Sequence, residues 1–209
     1  QGKKGKGSVI MARLICVLVG YVFGLIQTGY IYGKKNGVDL RKKGSGNAGT
    51  TNALRTMGWK AGAVTLLGDC FKCVAAVVVV HLIYGKTHTD MMPLLSMYAG
   101  MGAVLGHNYP FYLKFKGGKG IAATAGLIIS TTNIWIVLIC LATFIVIVAA
   151  TRYVSLGSMT VVTIYLISVI VYGQHGGFGG YVVGFCWSTD VWCSSVSDDT
   201  GILETQSEY

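Results

Sequence analysis

The sequence predicts an all-α bundle of helices that crosses a membrane several times within one domain. Two observations predict it. Apolar runs of spanning length recur at 14–32, 61–84, 134–150 and 159–172, whereas the helices of a soluble domain keep a polar face. Charged residues make up only 12% of the chain, and they gather in the loops between these runs. The net charge of +9 is therefore to be read loop by loop, as a topology signal, and not as affinity for nucleic acid.

Taken in order, residues 1–10 (QGKKGKGSVI) differ from the apolar run after them, either as a polybasic leader or as upstream sequence before a start at Met11. The expected membrane domain is 11–180. No small-residue cleavage site follows the first apolar run, so that helix is expected to stay uncleaved. The next loop, 33–60, is basic, with Lys34, Lys35, Arg41, Lys42, Lys43, Arg55 and Lys60. Its segment GSGNAGTTNALR, 44–55, is rich in residues that make turns and offer small hydrogen-bonding groups. A helix beginning over 53–60 would place Asn47 and Asn52 at or before its N-terminus. Alone this segment reads as a capped loop, and with Arg55 as an anion pocket.

The second apolar run carries Asp69 and Lys72, three residues apart and so on one helical face. Charges at membrane depth face the bundle interior in pairs. The pair is either structural or a device that orients the basic loops. His81 falls at the far interface. Cys70 and Cys73 form a CxxC inside this helix without a second ligand pair, and the six cysteines read as small hydrophobes rather than a metal or disulfide framework.

A third helix over 92–106 leads into GHNYPFYLKFKGGKGIAAT, 106–124. Gly117, Gly118 and Gly120 lack a Cβ, so the backbone there can curl and aim N–H groups at a small anion. Lys119 adds a full charge, and a helix starting at Ile121 presents a positive N-terminus suited to phosphate. Gly120 stands where a Walker A sequence has Ser or Thr, so this is a different loop. His107 either meets substrate or orients the loop. Residues 131–133 make a polar break, 134–150 returns across the membrane, and TRYVSLGSM, 151–159, forms a junction with Arg152, Ser155 and Ser158. If each run crosses, loops 33–60, 107–119 and 151–158 share one face. They hold eleven Lys or Arg residues against Lys86 alone opposite, which makes that face cytoplasmic.

GSGNAGTTNALR, GHNYPFYLKFKGGKGIAAT and TRYVSLGS, with DLRKKGSGN and the Asp69/Lys72 pair, resemble the acyl-phosphate:glycerol-3-phosphate acyltransferases of bacterial phospholipid synthesis, the PlsY family. The likeness covers roughly 11–172. It implies about seven transmembrane helices, some short or broken, in a bacterial inner membrane with the site loops cytoplasmic. It implies transfer of a fatty acyl group from acyl phosphate to the 1-position of glycerol 3-phosphate, giving lysophosphatidic acid. No cofactor or metal is implied, and no obligate protein partner is evident. Ser45, Arg55 and Lys119 are the implied catalytic residues. Asn47, Asn52, His107, Gly117, Gly118, Gly120, Ser155 and Ser158 are the candidates for holding substrate phosphate, with the choice between the two serines open.

Two stretches depart from the family pattern. Helix one has Gly24-Leu25-Ile26-Gln27 where a Gly-Ser-Ile-Pro-like stretch is usual. The tail, 181–209, replaces the final helix and an H-R-x-N-I-like motif. Back-translating 201–209 and shifting by one nucleotide permits A-Y-W-R-H-R-A-N-I, so a frame change is the expected origin of this tail and a disrupted last helix its consequence. The competing readings are a small transporter or channel for an anion, which would favour an internal repeat and mid-membrane polar residues, and an inactive truncated acyltransferase.

Overall fold

The structure is a computed structural model that describes residues 2–174, with side chains from Gly7 onward. All regular structure in these residues is helical: α1 (Gly2–Gly24), α2 (Thr28–Lys35), α3 (Thr50–Met57), α4 (Trp59–Tyr84), α5 (Met92–Asn108), α6 (Ile121–Thr131), α7 (Ile134–Thr151) and α8 (Val154–Gln174). Four described stretches are long and apolar enough to cross a membrane: Gly7–Lys35, Trp59–Tyr84, Ile134–Thr151 and Val154–Gln174. α5, with 17 residues, spans about 25 Å at 1.5 Å per residue. α6 is shorter still, at 11 residues.

The bundle is built around α1, α4 and α5. Between α1 and α5 the backbones touch. A Cβ added at Gly20 or Gly24 would overlap the carbonyls of Ala99 or Ala103, and one at Gly102 or Gly106 would overlap those of Val17 or Tyr21. Each helix thus carries two glycines four residues apart on the contact face. Lipid supplies no hydrophobic drive between helices, so close packing through small residues is what holds such a pair. α4 covers the other side, with Thr65, Asp69, Lys72, Cys73, Ala76, Val77 and Val80 buried.

Two expectations need correction. The apolar run 14–32 is not one helix, because the chain breaks between α1 and α2 at residues 25–27. The break strands carbonyls inside the protein, and side chains meet them: Lys72 Nζ donates to Gly24 O (3.1 Å) and Ile26 O (2.6 Å), and Tyr112 Oη donates to Leu25 O (2.6 Å). A helix can break at membrane depth only where protein groups satisfy the freed backbone. Nor does the second helix begin smoothly over 53–60. Gly58, at φ +84° and ψ −178°, separates α3 from α4 in a conformation that only glycine adopts readily.

α7 and α8 form a hairpin turned at Arg152, whose φ is +60°. Cys140 is the only buried residue of α7, and the rest of its apolar surface suits lipid. The expected leader does not interrupt α1, which runs from Gly2 through Met11. The expectation for the tail, 181–209, lies outside the described residues, as does His175.

Candidate functional site

The first basic loop is organised by one amide. Asn52 is 2% exposed, in the first turn of α3. Its Nδ2 donates to the carbonyls of Leu40 (3.0 Å), Lys43 (3.0 Å) and Asn47 (2.8 Å), and its Oδ1 accepts from Ser45 N (2.9 Å). Asn52 therefore ties residues 40–47 into one turn, and its expected place among the phosphate ligands gives way to that internal role. Asn47 Oδ1 accepts from Gly49 N (2.9 Å), an Asx turn leading into α3. Ser45 is exposed on this loop, and Arg55 is exposed on α3.

Upstream, Asp39 and Arg41 pair side by side. Arg41 donates to Asp39 Oδ1 from Nε (3.1 Å) and to Oδ2 from a terminal nitrogen (2.9 Å), and its guanidinium lies 4.6 Å from the Tyr30 ring centroid. The fork of donors holds the Asp39 carboxyl below the usual carboxylate range.

The second loop doubles back on the end of α5. Gly117 N donates to Asn108 O (3.1 Å) and Gly118 N to His107 O (3.1 Å). These two N–H groups are thus spent on the protein itself, and the anion cradle expected from them is not formed. Their lack of a Cβ serves close approach instead. A Cβ on Gly118 would overlap the His107 ring at Nε2, and one on Gly117 would overlap His107 O. Gly120, at φ +76°, caps α6. The N–H groups left at this end are those of Lys119, Gly120 and the first turn of α6, where a helix has no internal acceptors. Lys119 is exposed immediately before that turn.

Behind the second loop lies a buried polar cluster of Gln27, Asp69, Lys72 and His107, each 4% exposed or less. Lys72 Nζ sits 3.0 Å from Asp69 Oδ1 and 2.8 Å from His107 Nδ1, and His107 Nδ1 lies 3.6 Å from the same carboxylate oxygen. Gln27 Nε2 donates to His107 O (2.9 Å). The ion pair read at positions 69 and 72 is formed. His107 turns its ring inward to that pair, so the structure gives it the loop-orienting place rather than an exposed one.

The two loops meet in a cleft of about 480 Å³. Asp39, Arg41, Lys42 and Gly46 line it from the first loop, and Tyr112, Leu113, Lys114, Lys116 and Gly117 from the second. Four cations face one carboxylate there, a balance suited to a phosphate. In the sequence, Arg41, Lys42, Lys114 and Lys116 read as topology charges only, and their signal as lining residues is their flanking of the two glycine-rich segments. Arg55, Lys119 and Ser45 lie on the same two loops but are not among the lining residues. The third junction contributes none of them either. Ser155 is exposed at the start of α8, and Ser158 Oγ donates to Ser155 O (2.9 Å). Among the described residues no group of His, Cys, Asp and Glu is arranged to hold a metal ion.

Residues 14–197 match the sequence profile of the family described as glycerol-3-phosphate acyltransferase. A glycerol-3-phosphate acyltransferase of Clostridioides difficile (strain 630) is 46% identical over 151 residues, covering 72% of this chain and 73% of the relative. One from Bacillus subtilis (strain 168) is 40% identical over 150 residues, covering 71% and 74%. Two crystal structures of PlsY (YgiH), an integral membrane glycerol 3-phosphate acyltransferase, share the fold. The glycerol 3-phosphate form gives a TM-score of 0.67 at 34% identity, covering 77% of this chain and 78% of that one. The lysophosphatidic acid form gives 0.62 at 31%, covering 81% and 78%. With its polytopic helical bundle and a sequence match over most of its length, this chain belongs to the glycerol-3-phosphate acyltransferase family.

Proposed function

We propose that this protein transfers a fatty acyl group from acyl phosphate to the 1-hydroxyl of glycerol 3-phosphate, releasing inorganic phosphate and forming lysophosphatidic acid. The observation that carries the reading is the cationic cleft where the two glycine-rich loops meet, in a chain of this family. Both substrates bear phosphate, and charge-assisted contacts are the strong ones for holding it. Lys119 and the first turn of α6 supply a positive end for one phosphate, and Arg55 and the cleft cations supply charge for the other.

Acyl phosphate is already an activated donor. The glycerol hydroxyl attacks the acyl carbon, the bond from that carbon to the phosphate oxygen breaks, and the departing phosphate takes the hydroxyl proton. The protein's task is then mostly positioning, which in favourable cases removes roughly 7–11 kcal/mol of barrier. Ser45, exposed on the turn that Asn52 fixes, donates to the oxyanion that develops on the acyl oxygen, and one such donor is worth about 3 kcal/mol. The transfer is direct, without an acyl-enzyme. Loops 33–60 and 107–119 lie on the cytoplasmic face of a bacterial inner membrane, by the excess of Lys and Arg they carry.

The test is an assay of purified protein in lipid with glycerol 3-phosphate and either acyl phosphate or acyl-CoA. The expected result is 1-acyl product and phosphate from acyl phosphate, with acyl-CoA inert. Transfer from acyl-CoA instead would overturn the donor assignment. Uptake of glycerol 3-phosphate into vesicles without acylation would favour an anion transporter.

A further inference from the structure

The buried cluster beneath the second loop has a geometry beyond that of a simple ion pair. Lys72 Nζ reaches four partners at once: the carbonyls of Gly24 and Ile26 at the break in α1, the Asp69 carboxylate, and His107 Nδ1. A lysine ammonium has donors only. Facing it at 2.8 Å, His107 Nδ1 also lies 3.6 Å from the Asp69 carboxylate, so both members of the ion pair hold that edge of the ring. The opposite edge, at Nε2, is the one set against Gly118. The backbone of the same histidine is fixed as well, since its carbonyl accepts from Gly118 N and from Gln27 Nε2. One buried ion pair therefore fixes the orientation of the side chain on which the turn from Gly117 to Gly120 rests.

We propose that Lys72, charge-balanced by Asp69, is a positioning residue for glycerol 3-phosphate. It acts through His107 to hold the Gly117–Gly120 turn, and with it the Lys119 ammonium and the start of α6, in the binding geometry. Gln27 is the second hand of the same device, gripping the His107 carbonyl from the other side of the α1 break. This rests on the reading of glycerol 3-phosphate as substrate, but its structural half is independent of that reading.

The experiment uses Lys72→Met, which keeps the length of the side chain without its charge, and His107→Phe, which keeps a ring against Gly118 without Nδ1. Amide hydrogen exchange is followed by mass spectrometry in peptides covering 109–120 and 134–151, alongside steady-state kinetics. In each variant, exchange over 109–120 should rise at least tenfold while 134–151 keeps its rate. KM for glycerol 3-phosphate should rise about tenfold, with kcat changed less than threefold. The double variant should be no worse than either single one, because both act through one contact. Uniformly faster exchange in both peptides, failure of both variants to insert and fold, or unchanged exchange and KM, would make the cluster a structural ion pair and overturn the proposal. If the parent protein acylates nothing while exchange still rises only over 109–120, the functional reading fails and the positioning device stands. Kinetic effects that add in the double variant would also overturn it.

Discussion

α4 and α7 are both apolar helices long enough to cross a membrane, and they are used in opposite ways. α4 turns Thr65, Asp69, Lys72 and Cys73 inward and is held on several sides by α1, α5 and α6. α7 buries Cys140 alone and packs chiefly against its hairpin partner α8. Charge in a membrane is tolerated only where protein surrounds it, so the helix with the costly residues is the one at the centre. The site loops follow the same division. The first cleft loop leaves α2, which packs on α4, and the second leaves α5, whereas the serine junction sits at the turn of the loosely held hairpin. A substitution should cost much in the first region and little in the second.

The largest effect is expected at the α1–α5 contact. Gly102→Leu forces a branched side chain against the α1 backbone and should abolish the folded protein, seen as loss of the monodisperse peak in detergent. Leu138→Ala on α7, a lipid-facing position with 47% of its surface exposed, should keep the peak and shift the melting temperature only slightly, within the ~0.5 kcal/mol usual for surface sites. Equal damage from both would remove the distinction between core and hairpin.

Next come the cations. Arg55→Ala and Lys119→Ala should each lower kcat/KM by roughly ten- to a hundredfold, the equivalent of about 1.5–3 kcal/mol for a charged hydrogen bond, while leaving the helical content intact. Near-normal rates would take both residues out of the site. Asn52→Ala should act differently, through the loop and not through charge. It removes four bonds to the chain and should destabilise the turn by about 1–3 kcal/mol, read as faster exchange over 40–49.

The division between these regions also marks what is legible in the sequence. Apolar runs, loop charges and the two glycine-rich segments are local patterns, so the membrane bundle and the meeting of those two loops can be read from them, whereas the third loop, 151–158, does not join the cleft. Asp69 and Lys72 are legible as a pair because helical spacing puts i and i+3 on one face. His107 joins them from 35 residues away, and only tertiary packing brings it there. The break at 25–27 is hidden because Leu25 and Ile26 are apolar, and what makes it tolerable, Lys72 and Tyr112, comes from elsewhere in the chain. Asn52 misleads for a related reason. A polar residue in a glycine-rich loop looks the same whether it serves a ligand or the loop itself, until its four partners are known. Gly117 and Gly118 suggest an anion site by their freedom of backbone, yet what requires glycine at 118 is the ring of His107.

The smallest effect is expected at Asp39, the carboxylate among the residues lining the cleft. Its folded-state pKa is lowered, first by the hydrogen bond from Arg41, so its contribution to stability is present above the unfolded value of about 3.9 and is lost as pH falls through the lower folded value. The difference in melting temperature between the parent and Asp39→Asn should therefore be flat from pH 5 to 8 and shrink only below about pH 4. The pair is partly exposed, with about a third of each side chain open to solvent, so its size should stay within the ~0–1 kcal/mol of exposed ion pairs. Its effect on binding has the opposite sign. At neutral pH, Asp39→Asn leaves four cleft cations unopposed, so KM for glycerol 3-phosphate should fall by less than about fivefold, with a steeper dependence on salt. The comparison is made at fixed pH because the substrate's own phosphate titrates near pH 6. A rise in KM would mean that Asp39 orients Arg41 toward the ligand, and that the shape of this loop matters more than its charge.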